Sequence, residues 1–326
     1  MLHLTRAAAM FVSLCTMLLA GGVAAEAADY PVRPIKLIVP WSAGGGMDNL
    51  ARILEPIVTQ KLGKPLTFNY RPGASSSVGI SEVAHAKADG YTVTVNNFPL
   101  QSTNVGLGIG NYKPEDLVPV CMVAQDPTML VVLKDSPWNT VEEFIAEAKA
   151  KPNSLSVGAP DRFGPSHGTA LLMKAAGVPI NIVPFAAGAG KGNSAFLGGQ
   201  VQAVSGTISS LIPIKESIRP LMVGSKTRIT QFPDVRTSAE VGMPDVLGFC
   251  GRFFWVPKGT PEAVINRLDE AFRAASQDPV VQQRLIEAGM EPRYLNHKDA
   301  AALIKSMQPD VERLIVTFKD AIDKGY

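Results

Sequence analysis

Short apolar runs alternate along this chain with stretches whose apolar residues recur at helical spacing. Ile35 to Val39 (IKLIV) reads as a strand stopped by Pro40. The loop Trp41 to Gly46 then leads into a helix starting near Asp48. Leu50, Ile53, Leu54, Ile57, Val58 and Leu62 recur there at three and four, and Gly63 ends it. A strand over Leu66 to Tyr70, a turn at Arg71 to Gly73, a helix over Val78 to Ala86 and a strand over Tyr91 to Val95 follow. Strand–helix–strand–helix–strand at this spacing predicts a parallel sheet with crossover helices. The pattern restarts near residue 129. Strands are expected at Met129–Leu133, Ser156–Gly158, Ile182–Phe185, Ala203–Gly206, Leu221–Gly224 and Phe253–Val256. The segments LVPVCMV and GFCGRFF are strand-like too. Thr140 and Glu143 form a capping box for a helix over Val141 to Lys151. From Thr260 onward the chain reads as helical. Thr260-Pro261 and Asp278-Pro279 each offer an N-cap before a Pro at the first helical position. No fixed-period repeat or low-complexity linker separates the two halves.

The first 27 residues follow a different rule. Arg6 supplies a positive start, Ala7 to Ala20 an apolar stretch, and Ala25-Glu26-Ala27 small residues at a cleavage position. This is the pattern of a removed secretory signal. The stretch is short of the roughly 20 residues a spanning helix needs, and no Cys follows Ala20-Gly21-Gly22 for a lipid anchor. Export sets aside cytosolic, nucleotide-fuelled chemistry and leaves an extracytoplasmic binding protein or hydrolase as the expectation. With 18% charged and 46% hydrophobic residues the chain is folded and core-rich. Charges of both signs are interspersed at a net +2, with no basic block for nucleic acid or an anionic membrane. A mature chain of about 300 residues suits two domains. Cys15 leaves with the signal. Cys121 and Cys250 remain in an oxidising compartment, as one disulfide or as two buried thiols. Neither has zinc spacing, and no metal is expected.

Three loops rich in Gly and small residues follow expected strands and precede helices: Pro40 to Asp48, Ala159 to Gly168 and Phe185 to Gly192. In an open α/β sheet such loops sit at the carboxyl ends of strands, where ligands bind. Backbone N–H groups at the helix starts there favour an anion, which predicts a carboxylate-type ligand. Lys191 is followed by Gly192, so the Gly188 to Ser194 run is no P-loop. GxGxxG after the first strand, GxSxG and HExxH are all absent. His85 and His297 read as surface or helix-end residues. Ser166-His167 reads as a helix cap rather than a nucleophile and its base, and Asp48 as an N-cap or first-turn acid. Arg162 and Arg252 sit in segments otherwise poor in charge. Each could clamp a carboxylate with two hydrogen bonds, or serve as a surface residue or structural ion pair. Trp41 and Phe163 could wall a ligand or pack their loops.

Over the whole mature chain, in order, the runs Tyr30 to Asp48 (YPVRPIKLIVPWSAGGGMD), Asn69 to Ala74 (NYRPGA), Ala88 to Thr92 (ADGYT), Gly164 to His167 (GPSH), Leu197 to Val201 (LGGQV), Phe232 to Val235 (FPDV) and Val256 to Pro261 (VPKGTP) resemble the Bug (TctC-like) family. These are the periplasmic substrate-binding proteins of tripartite tricarboxylate transporters. The resemblance implies an α/β Venus-flytrap of the type II periplasmic-binding-protein class, with a ligand cleft between two domains. Residues 28–128 and 225–326 would form one domain and 129–224 the other. It implies that the Gly44–Gly46 loop and the Ser166-His167 loop flank the cleft, with the Phe185–Gly190 loop contributing from the second domain. The expected ligand contacts are Trp41, Ala43, Gly44, Gly45, Asp48, Asn97, Arg162, Phe163, Gly164, Ser166, His167, Ala187, Gly188, Thr207 and Arg252. The chain departs from the family at Gln202, Gly206 and Thr207, where acidic residues and Asn are common. It departs again at Asp161, Arg162 and Phe163, where small residues are usual, and at Arg252, where Tyr is common. The cleft is therefore expected to be more cationic and to take an acid whose second polar or anionic end meets Arg162. The implied protein is a monomeric, non-enzymatic periplasmic receptor without cofactor or nucleic-acid partner. It would pass a di- or tricarboxylic or aromatic acid to the transporter's membrane subunits. A sensory adaptor for a receptor kinase and an exported hydrolase are the alternatives.

Overall fold

The computed structural model describes residues 30–159, 163–185, 189–244 and 248–323. The expected leader, Arg162, Ala187 and Gly188 lie outside the described residues. In chain order the elements begin with β1 (Ile35–Val39), α1 (Gly46–Leu62), β2 (Leu66–Tyr70), α2 (Ser77–Ala84), β3 (Thr92–Phe98), α3 (Leu100–Gly106) and β4 (Leu117–Gln125). Then come β5 (Thr128–Leu133), α4 (Val141–Ala150), β6 (Ser156–Ala159), α5 (Pro165–Ala175), β7 (Asn181–Pro184), α6 (Ala189–Leu197), β8 (Ala203–Thr207), α7 (Ile208–Leu211) and β9 (Ile218–Val223). The chain closes with β10 (Gly251–Pro257), α8 (Glu262–Gln277), α9 (Pro279–Glu287), β11 (Glu291–Leu295), α10 (His297–Ser306) and α11 (Gln308–Asp323).

Two sheets result, in the orders β11-β4-β10-β3-β1-β2 and β7-β6-β8-β5-β9. Each has a parallel group, β2-β1-β3 and β7-β6-β8, as the spacing predicts. Each is extended by antiparallel strands that the crossover pattern did not foresee: β10, β4 and β11 in the first, β5 and β9 in the second. Strand β10 is buried along its whole length, which explains its nearly unbroken run of large apolar residues. Phe254 stacks on Phe272 of α8 with ring centroids 3.9 Å apart. Helix α1 turns Leu50, Ile53, Leu54, Val58 and Leu62 into the same core. Gly63 closes that helix at φ 70°, a left-handed conformation that suits a residue without Cβ.

Several local expectations change. The chain beyond Thr260 is not all helical, because Glu291–Leu295 pairs with β4 at the sheet edge. Its sequence, EPRYL, carries Pro and charges that an edge strand tolerates and a periodicity reading passes over. Thr260 does not cap α8: its hydroxyl donates to the Pro257 carbonyl. Asp278 does cap α9, accepting from the N–H groups of Val280 and Val281. The Thr140/Glu143 capping box is formed. Cys121 and Cys250 are buried and not joined by a disulfide. Cys121 pairs in register with Phe254, so four residues of extended chain, about 13 Å, separate it from Cys250. A disulfide spans at most about 7 Å between Cα atoms.

The two sheets join where three extended segments lie side by side. Thr128 N–H donates to Gly248 O (3.0 Å), Gly224 N–H to Thr128 O (2.9 Å), and Gly248 N–H to Gly224 O (2.8 Å). The segments are so close that a Cβ on Gly248 would sit 1.6 Å from Thr128 Oγ1. The chain between these crossings stays with the second sheet: Ile229, Phe232, Val235 and Met243 pack into its cores. Helix α11 then bridges the two halves. Ile315 covers Gly106 of α3, while Phe318 packs on Leu171 of α5. The glycine requirement gives a direct test. Gly248→Ala is expected to cost about 3 kcal/mol by overpacking, read as a lower urea midpoint at unchanged slope.

Candidate ligand-binding cleft

Parallel strands of both sheets point their carboxyl ends at the junction. From β1 emerges the loop 40–45, from β3 the pair Asn96 and Asn97, and from β8 the turn Thr207 to Ser209. The first loop meets the last turn directly. A Cβ on Gly46 would lie 3.5 Å from Ser209 Oγ and 3.9 Å from Arg252 Nη2.

The first loop is built to expose its backbone. Ala43 and Gly44 are exposed and Trp41 is half-buried. The Trp41 indole donates to Asn96 Oδ1 (3.4 Å), and Asn96 Nδ2 donates to Ser76 Oγ (3.3 Å). Gly45 N–H reaches back to Ser42 O (3.3 Å). Asp48 is buried and faces into the loop. Its carboxylate accepts Gly44 N–H (2.7 Å), Arg52 Nε (2.9 Å) and the Tyr70 hydroxyl (2.9 Å). Asp48 thus clamps the loop from behind. The N–H groups of Gly46, Met47 and Asp48 precede the first intrahelical bond, Asn49 N–H to Gly45 O at 2.9 Å. Such first-turn donors have no intrahelical acceptor and carry the positive end of the helix dipole.

Beneath that helix start lies Arg252, 4% exposed on β10 and opposite Asn97 in register. Its guanidinium donates to Asn97 Oδ1, forms an ion pair with Asp126, reaches Ser209 Oγ at 3.2 Å and lies 3.7 Å from Met47 Sδ. Burial works against its charge, but Cys250 and Asp126 outweigh burial and raise its pKa. Asp126 is fully buried on the crossing between β4 and β5. It accepts the Ser209 N–H (3.0 Å) on one oxygen and the Ser209 hydroxyl (2.5 Å) on the other. Arg252 therefore forms a buried ion pair, one of the roles open to it from sequence. Asp126 and Ser209 were missed. The one available signal was an Asp standing alone between two apolar strands, VCMVAQ and TMLVVL.

The second loop is anchored elsewhere. Phe163 takes a left-handed conformation (φ 64°) and donates its N–H to His167 Nδ1 (3.2 Å). The rings of Phe163 and His167 pack on Phe318 of α11, with centroids 5.6 and 5.5 Å away. Gly164 is the N-cap position of α5, and Ser166 and His167 are buried in its first turn. Thr207 ends β8 half-buried, with Oγ1 3.5 Å from Ser209 Oγ. Trp41, Ala43, Gly44, Gly45, Asp48, Asn97, Thr207 and Arg252 thus lie around one junction. Phe163, Gly164, Ser166 and His167 form a second group held by the last helix. Among the described residues no His/Cys/Asp/Glu group could hold a metal, and no helix is long and apolar enough to cross a membrane.

Two α/β halves with strand ends facing a common junction define a two-domain periplasmic-binding-protein architecture. The profile of the tripartite tricarboxylate transporter family receptor (TctC) matches residues 50–319, and the chain belongs to this family. BugT of Bordetella pertussis is 33% identical over 285 residues, covering 84% of this chain and 86% of BugT. MatC from Rhodopseudomonas palustris with bound malate is 26% identical with a TM-score of 0.76, over 89% of this chain and all (100%) of MatC. A second R. palustris protein, solved with adipate, is 27% identical with a TM-score of 0.80, over 89% of this chain and 98% of its own. The family is one of solute-binding receptors and not of enzymes.

The clamp behind the first loop has a measurable cost. Asp48→Ala leaves Gly44 N–H and the Tyr70 hydroxyl without their acceptor. It is expected to lower stability by about 2 kcal/mol in urea unfolding, with little of that from the exposed Arg52.

Proposed function

We propose that this protein is an extracytoplasmic receptor that captures a small dicarboxylate between its two halves and hands it to the membrane subunits of a tripartite tricarboxylate transporter. The observation that carries the reading is the meeting of the α1 start with the Thr207–Ser209 turn. It places first-turn N–H donors from one sheet against hydroxyls from the other, at the carboxyl ends of parallel strands. Malate and adipate, held by the two solved relatives, are both dicarboxylates. In this reading the first carboxylate lies over the exposed backbone of Ala43 to Gly46. Arg162, the cation the sequence assigns to the second loop, meets the far carboxylate. Phe163, Gly164, Ser166 and His167 form the opposite wall, with Ala187 and Gly188 from the third loop.

Closure is a hinge motion about the crossings at Asp126 to Thr128 and Gly248 to Gly251. This reading extends the second domain past residue 224, and the packing of Ile229, Phe232, Val235 and Met243 with the second sheet supports it. The protein works in the periplasm as a monomer, released by removal of residues 1–27.

The test is a thermal-shift screen with malate, adipate, tricarboxylates, aromatic acids and monocarboxylates, with sugars and amino acids as controls. A dicarboxylate at 100 times its Kd is expected to stabilise the fold by about 2.7 kcal/mol, a rise of several degrees in Tm. Arg162→Ala is expected to weaken the best dicarboxylate at least about tenfold. No shift from any acid overturns the receptor reading. Full affinity in Arg162→Ala removes Arg162 from the site and leaves the rest standing.

A further inference from the structure

The cleft floor contains a cation that a carboxylate ligand could use, yet the protein has already given that cation a carboxylate of its own. Arg252 lies directly under the start of α1, with Nη1 3.7 Å from Met47 Sδ and Nη2 3.9 Å from where a Gly46 Cβ would stand. A buried guanidinium at the positive end of a helix is electrostatically unfavourable by itself. Asp126 compensates it by direct ion pairing, and both side chains are almost wholly buried, 5% and 0% exposed. Asp126 is fixed in turn by the backbone N–H and hydroxyl of Ser209. No ligand atom needs to touch Asp126 for its charge to matter. In a poorly solvated site a unit charge is felt over several ångströms.

We propose that Asp126 is a selectivity-determining positioning residue: by pairing with Arg252 it keeps the floor under the first loop neutral and so limits how strongly the cleft attracts anions. The inference rests on the carboxylate-receptor reading above. With the floor neutral, attraction comes from the partial charge of the α1 start and from the second loop. With Asp126 uncharged, the full charge of Arg252 would face the ligand's first carboxylate from below. The same pair links the crossing segment, β10 and α7, so its removal carries a structural effect that always weakens binding. The electrostatic effect has opposite signs for the two partners, which separates the two roles.

Calorimetric titration of the mature protein with adipate, and with hexanoate as its singly charged counterpart, provides the test. Asp126→Asn keeps an oxygen acceptor for Ser209 but removes the charge. It is expected to tighten adipate about tenfold and hexanoate less, the scale of one uncompensated charge at an effective dielectric near 20–40. Arg252→Gln leaves Asp126 uncompensated and is expected to weaken adipate about tenfold or more. Arg252→Lys, which keeps the charge but not the three-way fork, is expected to retain clearly more adipate affinity than Arg252→Gln. Weakening in both Asp126→Asn and Arg252→Gln, or no change in either, overturns the proposal, with circular dichroism confirming that each is folded. Should Asp126→Asn not fold, adipate affinity in Arg252→Gln equal to that in Arg252→Lys overturns it. If the unmodified protein binds neither acid, the fault lies with the receptor reading and not with the role of Asp126.

Discussion

The junction of the two halves depends on one buried ion pair. Arg252 reaches the crossing segment through Asp126, the end of β3 through Asn97 and the second sheet's short helix through Ser209. Burying two charges costs several kcal/mol before any attraction is counted, and the cost is offset only when further hydrogen bonds satisfy them. Here the Asp126 oxygens are met by Arg252 and by two donors of Ser209, and the guanidinium by three oxygens. A planar group with donors fixed in a fork can serve three directions at once, and the point charge of a lysine serves them less well. Geometry at this spot therefore fixes where α7 begins relative to α1.

The glycines at the crossing supply the complementary constraint. Thr128, Gly224 and Gly248 bring three backbones within hydrogen-bonding distance, and a side chain at position 248 would occupy the place of Thr128 Oγ1. Thr128 also meets Thr169 of α5 at 2.7 Å, so the second loop's helix is tied to the same crossing. Helix α11 packs on α3 of one half and α5 of the other. A change in the angle between the halves must accordingly be absorbed in the short extended segments and along this helix. The strand ends can keep their own geometry while it happens.

Much of the framework was legible from local signals. The strand before Pro40, the apolar stripe of α1, the Gly63 stop, the Thr140/Glu143 box and the Asp278 cap all depend on residues within a few positions of one another, and all are formed. What escaped depends on partners far along the chain. Strand β11 exists because β4 offers an edge 166 residues away, as the Gln125 to Glu291 contact shows. Thr260 has the composition of a cap, but the preceding turn gives its hydroxyl a nearer acceptor at Pro257. Arg252 could be read as a ligand clamp or an ion pair, and its ion-pair partner Asp126 lies 126 positions away. Phe318, which holds Phe163 and His167, has the spacing of an ordinary core residue on a C-terminal helix.

These assignments narrow where selectivity can reside. Asp48 is engaged by Gly44, Arg52 and Tyr70, and Arg252 by Asp126, so both of the first half's obvious charges near the loop already have protein partners. In the proposed receptor, what the first half offers an anion is backbone N–H groups and the end of a helix dipole, which can hold a carboxylate but are indifferent to the body attached to it. Discrimination between acids in that receptor then falls to the charge balance that Asp126 sets in the floor and to the loops opposite. Phe163 and His167 of the second loop pack on Phe318 of the last helix, so in the proposed receptor a change there reaches that loop from a distance.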